Sequence, residues 1–195
     1  MPRPTRGADP TAVPTRPNAL TAFRLARHHF IEGRRWEMQE LAAELGVNRA
    51  TLFRWVGNRD DLIADIVWSV TEPTLAAAVA GAKGSGGGRI ASALAAFAAA
   101  ANRAGGFQAF VQREPERALR ILTTRAGPFQ RRLIEKVESL VREEVESGAL
   151  NPPLPVHDLA YLLVRIAETF IYSNMIIGEP ADALKVEQAT TALLR

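Results

Sequence analysis

The sequence predicts an all-α fold, with an N-terminal three-helix unit that contains a helix-turn-helix and a larger C-terminal bundle of helices. Long windows rich in Ala and Leu alternate with Gly and Pro breakers. No stretch has the alternation of apolar and polar residues, rich in Val, Ile and Thr, that is typical of strands. With 47% hydrophobic residues among 195, the chain can bury a sizeable core.

Composition excludes several kinds of chemistry. The chain has no cysteine, and therefore no disulfide, thiolate metal site or cysteine nucleophile. His28 and His29 point to different faces of one helix and no third ligand is evident, so neither a metal nor a cofactor is expected. An N-terminal apolar export segment and an uninterrupted apolar run of about 18 residues are both missing, so we expect a cytoplasmic protein without membrane contact.

Positive charge is concentrated in the first 59 residues. This stretch holds ten Arg and five acidic residues, a net charge of +5, whereas residues 60–195 carry −2. A basic region of this kind is typical of proteins that bind phosphates.

Residues 1–18 are rich in Pro and Arg and hold almost nothing that could pack, which predicts a disordered arm. The arm is either an unstructured leader or a source of minor-groove and phosphate contacts from Arg3, Arg6 and Arg16. A first helix from about Leu20 to Glu32 follows the arm and is expected to support the helices after it.

The stretch MQELAAELGVNRATLFRWVGNR, residues 38–59, predicts two short helices around a glycine turn. Leu41 belongs to an apolar face on the first helix, Gly46 permits a left-handed turn at its end, and Asn48 can cap the second helix. Such short helices must be clamped by their neighbours, here through Leu52, which leaves the other face free for a partner.

The free face of the second short helix predicts DNA reading. Arg49 at the helix tip is the first candidate for a guanine contact, and Ala50 is small enough to approach a thymine methyl. Thr51 either contacts phosphate or completes the cap, and Trp55 is either core or a phosphate-side contact. Arg59, which begins the next helix, is expected to contact phosphate. The predicted DNA-contacting residues are Gln39, Asn48, Arg49, Ala50, Thr51, Phe53, Arg54, Trp55 and Arg59.

The segment GVNRATLFRWVGNRDDLI resembles the core of the TetR family of bacterial regulators. Phe53 and Trp55 depart from the family pattern, so the usual tyrosine hydroxyl and histidine contacts are not available there. The resemblance implies a homodimeric repressor of operator DNA, whose larger C-terminal domain binds a small-molecule effector and changes the spacing of two DNA-reading heads. The positions that match the family pattern are Thr51, Leu52, Val56 and Arg59.

Downstream, the chain supplies helices for a second domain. The most apolar of them, Leu159 to Ile177, is hydrophobic almost all round, which suits contact with its own domain and with a second copy. The dimer is therefore expected to be a four-helix bundle from residues 128–147 and 156–177 of each subunit. A flexible loop is predicted at KGSGGG, residues 83–88, and a helix interruption near Pro115.

These observations predict three regions. They are an arm at 1–18, a helix-turn-helix DNA-binding domain at 19–60, and an effector-binding and dimerisation domain at 61–195.

The segment REPERALRILTTRAGPFQRRLI resembles the C-terminal domain of the QsdR-like branch of the family, which implies a lactone or acylated signal as effector. Polar residues in the apolar helix either form an Arg165–Glu168 pair or anchor a ligand in an apolar pocket. The candidate ligand-contacting residues are Trp68, Phe97, Phe107, Phe110, Leu119, Thr123, Phe129, Arg165, Glu168, Thr169 and Tyr172.

Two other function classes are weighed against this reading. The first class, an enzyme built on a helical bundle, would need catalytic groups that the sequence lacks. There are only three His, no paired Glu-x-x-His motifs and no nucleophile elbow, so no catalytic residue is expected. A DNA-binding dimer without effector is favoured by a filled core at residues 97, 110, 129 and 169, and disfavoured by a cavity of roughly a few hundred cubic ångströms.

Overall fold

The computed structural model describes residues 16–152 and 154–195, and within these ranges it has helices and no strands. The predicted all-α fold is therefore confirmed. Residues 1–15, which include Arg3 and Arg6 of the proposed arm, lie outside the described residues. The helices are α1 (Ala19–Ile31), α2 (Met38–Glu44), α3 (Arg49–Val56), α4 (Arg59–Gly81), α5 (Gly86–Arg103), α6 (Gly105–Arg113), α7 (Pro115–Thr123), α8 (Phe129–Glu146), α9 (Val156–Ile171), α10 (Ser173–Ile177) and α11 (Ala183–Leu193).

The first three helices are short and rely on a shared apolar core. Ala26 of α1, Leu41 of α2 and Leu52 of α3 are all buried in it. Asn18 begins α1 by accepting a hydrogen bond from the Thr21 amide at 3.0 Å. Helices of 7 to 13 residues are marginal alone, so this packing holds them in place.

The two neighbouring histidines of α1 face different carboxylates. His29 is buried, and its Nε2 lies 2.8 Å from Glu44 Oε2 at the end of α2. His28 is exposed, and its Nε2 lies 3.2 Å from Glu32 Oε1. The two neighbouring rings therefore serve separate contacts from different faces of α1.

Helix α4 connects the three short helices to the rest of the molecule. It begins at Asn58, whose side chain accepts hydrogen bonds from the Asp60 and Asp61 amides at 2.8 and 3.0 Å. It packs against α1, α5, α7 and α8. Among the described helices it alone is long and apolar enough to cross a membrane by length and composition, and its apolar side chains, such as Ile66, lie in the protein core. It contains Pro73, and the helix continues through it to Gly81.

The predicted loop at residues 83–88 is wrong in its second half, because α5 already begins at Gly86. A side chain at Gly86 would bring Cβ within 2.3 Å of the Ala149 carbonyl oxygen, and its φ is +56°. Its amide donates to Glu144 Oε2 at 2.5 Å, and Arg89 pairs with the same carboxylate. Gly86 therefore serves the close packing of the start of α5 against the end of α8 and the residues that follow it.

The C-terminal helices form one layered bundle with α4 and α5. Helix α8 packs along α9, while α11 packs along α5 and α9. The helix predicted from Leu159 to Ile177 is divided, because α9 ends at Ile171 and the short α10 begins at Ser173. The interruption predicted near Pro115 is present, where that proline begins α7.

Candidate functional site

The tip of α3 presents its polar side chains to solvent. Asn48 caps the helix, and its Oδ1 accepts a hydrogen bond from the Thr51 amide at 2.7 Å. Leu52 is fully buried and fixes the opposite face of α3. Arg49 and Arg54 are exposed, and neither has a salt-bridge partner among residues 16–152 and 154–195. The first turn of α3 is therefore rigidly held while its basic groups remain open to an anionic partner.

The other predicted DNA-contacting residues of this region differ in exposure. Phe53 is 55% exposed. Trp55 is partly buried and packs against the core, which agrees with the packing alternative for this residue. Three more of the predicted side chains are exposed and one, that of Thr51, is partly buried: Gln39, Asn48, Ala50 and Thr51.

The side chain of Arg59 is bound within the protein, whereas the sequence predicted that it contacts phosphate. Its Nη1 and Nη2 donate to the two carboxylate oxygens of Glu114 at 2.6 and 2.7 Å, and its Nε donates to the Trp36 carbonyl at 2.9 Å. Only 10% of its side chain is exposed, and the guanidinium stacks over the Trp36 ring at 5.2 Å. The expected phosphate contact is not supported, because all three guanidinium nitrogens are already bound within the protein.

The Arg59–Glu114 pair ties the start of α4 to the corner between α6 and α7. Arg59 and, to a smaller extent, Arg117 hold the pKa of Glu114 at about 2, below its ordinary 4.5. Arg117 and Arg120 also pair with Asp60 at the first turn of α4. Charged groups at this corner therefore connect the three short helices to the C-terminal bundle.

A cavity of about 80 Å³ lies inside the C-terminal bundle. This volume exceeds the roughly 10–15 Å³ needed for a single water, but it is below the few hundred cubic ångströms that would mark an effector site. Its wall is formed by α4, α5, α6, α8 and α9 and is mostly aliphatic and aromatic. The lining residues are Val70, Thr71, Thr74, Leu94, Phe97, Ala100, Ala101, Ala104, Phe107, Phe129, Leu133, Val137, Val164, Ala167, Glu168, Ile171 and Tyr172.

The cavity wall includes some of the predicted ligand-contacting residues. The structure brings five of them together: Phe97, Phe107, Phe129, Glu168 and Tyr172. Phe107 and Tyr172 stack across the wall with ring centroids 6.4 Å apart.

The remaining six candidates do not line the cavity, and packing explains most of them. Trp68 meets Phe129 edge to face at 6.0 Å, and Phe110 packs on Phe30 of α1 at 5.8 Å. The Thr123 hydroxyl donates to the Leu119 carbonyl at 2.7 Å on α7. On α9, Thr169 is exposed and Arg165 is 42% exposed, so both face away from the cavity.

Glu168 is the buried acidic group of the cavity wall. Its Oε2 lies 2.5 Å from Arg165 Nη1, so the Arg165–Glu168 pair expected as one alternative is present within α9. Its Oε1 lies 2.8 Å from the Gln130 amide nitrogen when that nitrogen faces its two acceptors, Glu168 and the Leu122 carbonyl. Burial raises the pKa of Glu168 to about 7, and Arg165 opposes this only in part.

Several lining residues escaped sequence reasoning. Ala100 and Ala101 belong to the alanine-rich α5 and Ala104 follows that helix directly, and only the empty space beside them distinguishes them from other alanines. Thr71 and Thr74 are polar positions in the apolar part of α4. Two polar residues three positions apart in an apolar helix lie on the same face, and this spacing was the sequence signal that could have identified them as cavity-lining residues.

Comparison with known proteins finds one family model and several solved structures that are similar to this chain. The family model described as "Tetracyclin repressor-like, C-terminal domain" matches residues 85–195. The structure of the transcriptional repressor QsdR of the TetR family, from R. erythropolis, is similar, with 27% sequence identity, a TM-score of 0.81, and coverage of 90% of this chain and 93% of that chain. The TetR family transcriptional regulator PfmR from Thermus thermophilus has 20% identity and a TM-score of 0.47 over 89% of this chain and 94% of that chain.

The search of curated proteins gives no match. The family model nevertheless covers more than half of the chain, and the resemblance inferred from residues 46–63 and 113–134 is confirmed. Proteins of this family bind operator DNA, act as dimers and respond to small molecules. The chain belongs to the TetR family of DNA-binding transcriptional regulators, which are not enzymes.

Proposed function

We propose that this protein is a homodimeric repressor that releases its operator when a small apolar effector, of the lactone type, enters the C-terminal cavity. The repressor role is supported by the similarity to the repressor QsdR over nearly the full length of both chains. Regulation of this kind takes place on chromosomal DNA, so we infer a cytoplasmic location.

Residues 19–60 are the proposed DNA-binding domain. With α3 in the major groove, Arg49 and Ala50 at its first turn contact base edges, while Arg54 contacts the phosphate backbone. Gln39 on α2 and Thr51 on α3 add polar contacts from the same side. The exposed positions of Arg49 and Arg54 support these assignments.

Residues 61–195 are the proposed effector-binding and dimerisation domain. Two apolar side chains on α9, Tyr161 and Leu162, are 47% and 38% exposed, and Arg165 and Thr169 lie on the same side one and two turns later. We propose that this face packs against the same face of a second subunit. The proposed interface is a four-helix bundle from residues 128–147 and 156–177 of each subunit.

The observation that carries the proposed mechanism is the continuity of α4. This helix begins at Arg59 beside the DNA-binding helices and runs unbroken to the cavity wall at Val70, Thr71 and Thr74. A ligand that favours one position of α4 thereby favours one spacing of the two reading helices. A coupling of about 1 to 3 kcal/mol is enough for about 5- to 150-fold release.

The proposal is tested by selecting an operator from random DNA with the purified protein and then screening small lactones and lipids for release. Loss of DNA binding with one compound class, reversed by its removal, is the expected result. A cavity-filling variant, Ala100→Leu, serves as control and is expected to bind DNA but to ignore the compound. Failure to select any operator would contradict the DNA-binding assignment.

A second candidate function is a DNA-binding dimer with no effector. The small cavity volume, about 80 Å³, favours it. In that case no compound releases DNA, and the wild type and Ala100→Leu bind the operator equally under all conditions of the screen.

A further inference from the structure

We propose that the cavity selects a short aliphatic molecule whose polar end donates a hydrogen bond, and that it rejects carboxylates. This inference rests on the proposed effector role of the cavity and names the chemistry that the effector must have. It follows from the one carboxyl group in the wall, from the absence of a basic residue among the described residues of that wall, and from the limited space.

The polar part of the cavity wall is small and consists of three hydroxyl groups and one carboxyl group. Its polar side chains are Thr71, Thr74, Glu168 and Tyr172, and the rest are aliphatic or aromatic apart from backbone groups. No Lys, Arg or His is present among the described residues that line the cavity. An anionic ligand would therefore enter an apolar space without a partner of opposite charge, which is strongly unfavourable.

The carboxyl group of Glu168 is fixed in the wall from two sides. The Gln130 amide nitrogen of α8, in the orientation in which it faces its two acceptors, lies 2.8 Å from Oε1, and Arg165 Nη1 lies 2.5 Å from Oε2. The residue as a whole is only 3% exposed. A carboxylate offers about four lone-pair sites, so these two donors leave acceptor capacity for a ligand. A buried, oriented acceptor of this kind favours an N–H or O–H group over an ether or ester oxygen, so a lactone-type effector would be held here through an N–H or O–H substituent and not through its ring oxygens.

Arg165 does not convert the cavity into an anion site. Its guanidinium already pairs with Glu168, and its side chain is 42% exposed, on the side of α9 away from the cavity. The groups that face the Glu168 carboxyl are thus Arg165 on α9, Gln130 on α8 and the Tyr172 hydroxyl at the end of α9.

The space beside this group suits a short chain. Ala100, Ala101 and Ala104 leave room along one side, and Phe107 and Phe129 close the other parts of the wall. A volume of about 80 Å³ admits a slender aliphatic group and excludes large ring systems without rearrangement of the wall.

The test uses probes of equal chain length and different polar ends: hexylamine, hexan-1-ol, methyl pentyl ether and hexanoate. Binding to the full-length protein is measured by calorimetric titration at about pH 8.5, above the pKa of about 7 of Glu168, so that this group is a carboxylate. Hexylamine and hexan-1-ol are expected to bind about 10- to 100-fold more tightly than hexanoate, the range typical of a hydrogen bond to a charged group. The ether is expected to lie between them.

Glu168→Gln keeps the side-chain shape and removes the charge, and is expected to abolish the discrimination between hexylamine and hexanoate. The matched control is Glu135→Gln, which removes the same charge from the exposed face of α8 and is expected to retain full discrimination. Ala100→Leu is expected to weaken all four probes together, which ties their binding to this cavity.

The outcomes separate this inference from the function on which it rests. Tightest binding of hexanoate, or equal binding of the four probes that Ala100→Leu abolishes, would overturn the donor selectivity and leave the effector cavity standing. No binding of any probe, including the ether, would overturn the effector cavity itself and the inference with it. Discrimination that survives Glu168→Gln would also reject the assigned role of Glu168.

Discussion

Two helix starts only ten residues apart differ completely in what their arginines do. Both α3 and α4 are preceded by a capping asparagine, Asn48 and Asn58, and both begin with an arginine. Arg49 is exposed at the tip of α3, whereas Arg59 is bound in a two-point ion pair with Glu114. The same local pattern therefore gives one residue free to meet a partner and one that holds the protein together.

The largest expected difference between Arg49 and Arg59 is in their contribution to the free energy of unfolding. Arg59→Ala leaves the Glu114 carboxylate partly buried without its main partner, and is expected to lower the free energy of unfolding by about 2 to 4 kcal/mol. Arg49→Ala is expected to change it by less than about 0.5 kcal/mol. Urea unfolding of both variants measures the difference. Arg59→Ala combined with Glu114→Ala is expected to recover part of the loss, and similar losses at the two arginines would remove the contrast.

The second prediction concerns the loss of stability at low pH. The folded pKa of Glu114 is about 2 and its ordinary value is 4.5. Because the folded pKa is depressed, this group contributes stability that is fully present above about pH 4.5 and is lost as pH falls toward about 2. Between about pH 6 and about pH 3, the wild type is expected to lose about 2 kcal/mol more free energy of unfolding than Glu114→Gln.

Urea unfolding at about pH 6 and about pH 3 measures this loss, and the other carboxylates contribute equally to both proteins. Glu135→Gln, on the exposed face of α8, is the control and is expected to follow the wild type. A parallel acid response of the wild type and Glu114→Gln would show that the ion pair adds nothing at this corner.

The third prediction concerns DNA. Arg49→Ala is expected to weaken binding to a selected operator by about 1 to 3 kcal/mol and to relax one base position. Arg59→Ala, where it remains folded, is expected to leave the salt dependence of binding unchanged, because its guanidinium is occupied by Glu114. Titrations at several salt concentrations measure both quantities. Equal affinity of Arg49→Ala and the wild type would reject the base contact, and a flatter salt slope for Arg59→Ala would restore its phosphate contact.

The smallest effects are expected at the two caps, where the helix starts are alike. Asn48→Ala and Asn58→Ala each remove an acceptor for backbone amides and are expected to lower the free energy of unfolding by about 1 kcal/mol. The exposed Asn151, outside the helices, provides the control substitution. A much larger loss at one cap would show that even the shared part of the pattern depends on the surroundings.

Local sequence determined most of the helical architecture. Helix ends followed from capping residues and breakers, as at Asn48, Asn58 and Pro115, because caps act on backbone groups within a few residues. The family followed from the segment around α3. The glycine-rich start of α5 was misread as a loop, because the close packing of Gly86 on Ala149 involves chain segments that are distant in sequence.

Only the tertiary structure decided which side chains meet. Arg59 and Glu114 are separated by 55 residues, and nothing in either local pattern indicates their pairing. The cavity also could not be predicted from the sequence, because empty space between five helices is a property of their packing. An aromatic residue on an apolar helix face looks the same in sequence whether it faces a cavity, as Phe97 does, or another ring, as Phe110 does. The periodicity of the sequence determined the helices and their buried faces. The contacts between distant side chains were decided by the tertiary structure, because short-range patterns carry no information about residues that are far apart in the sequence.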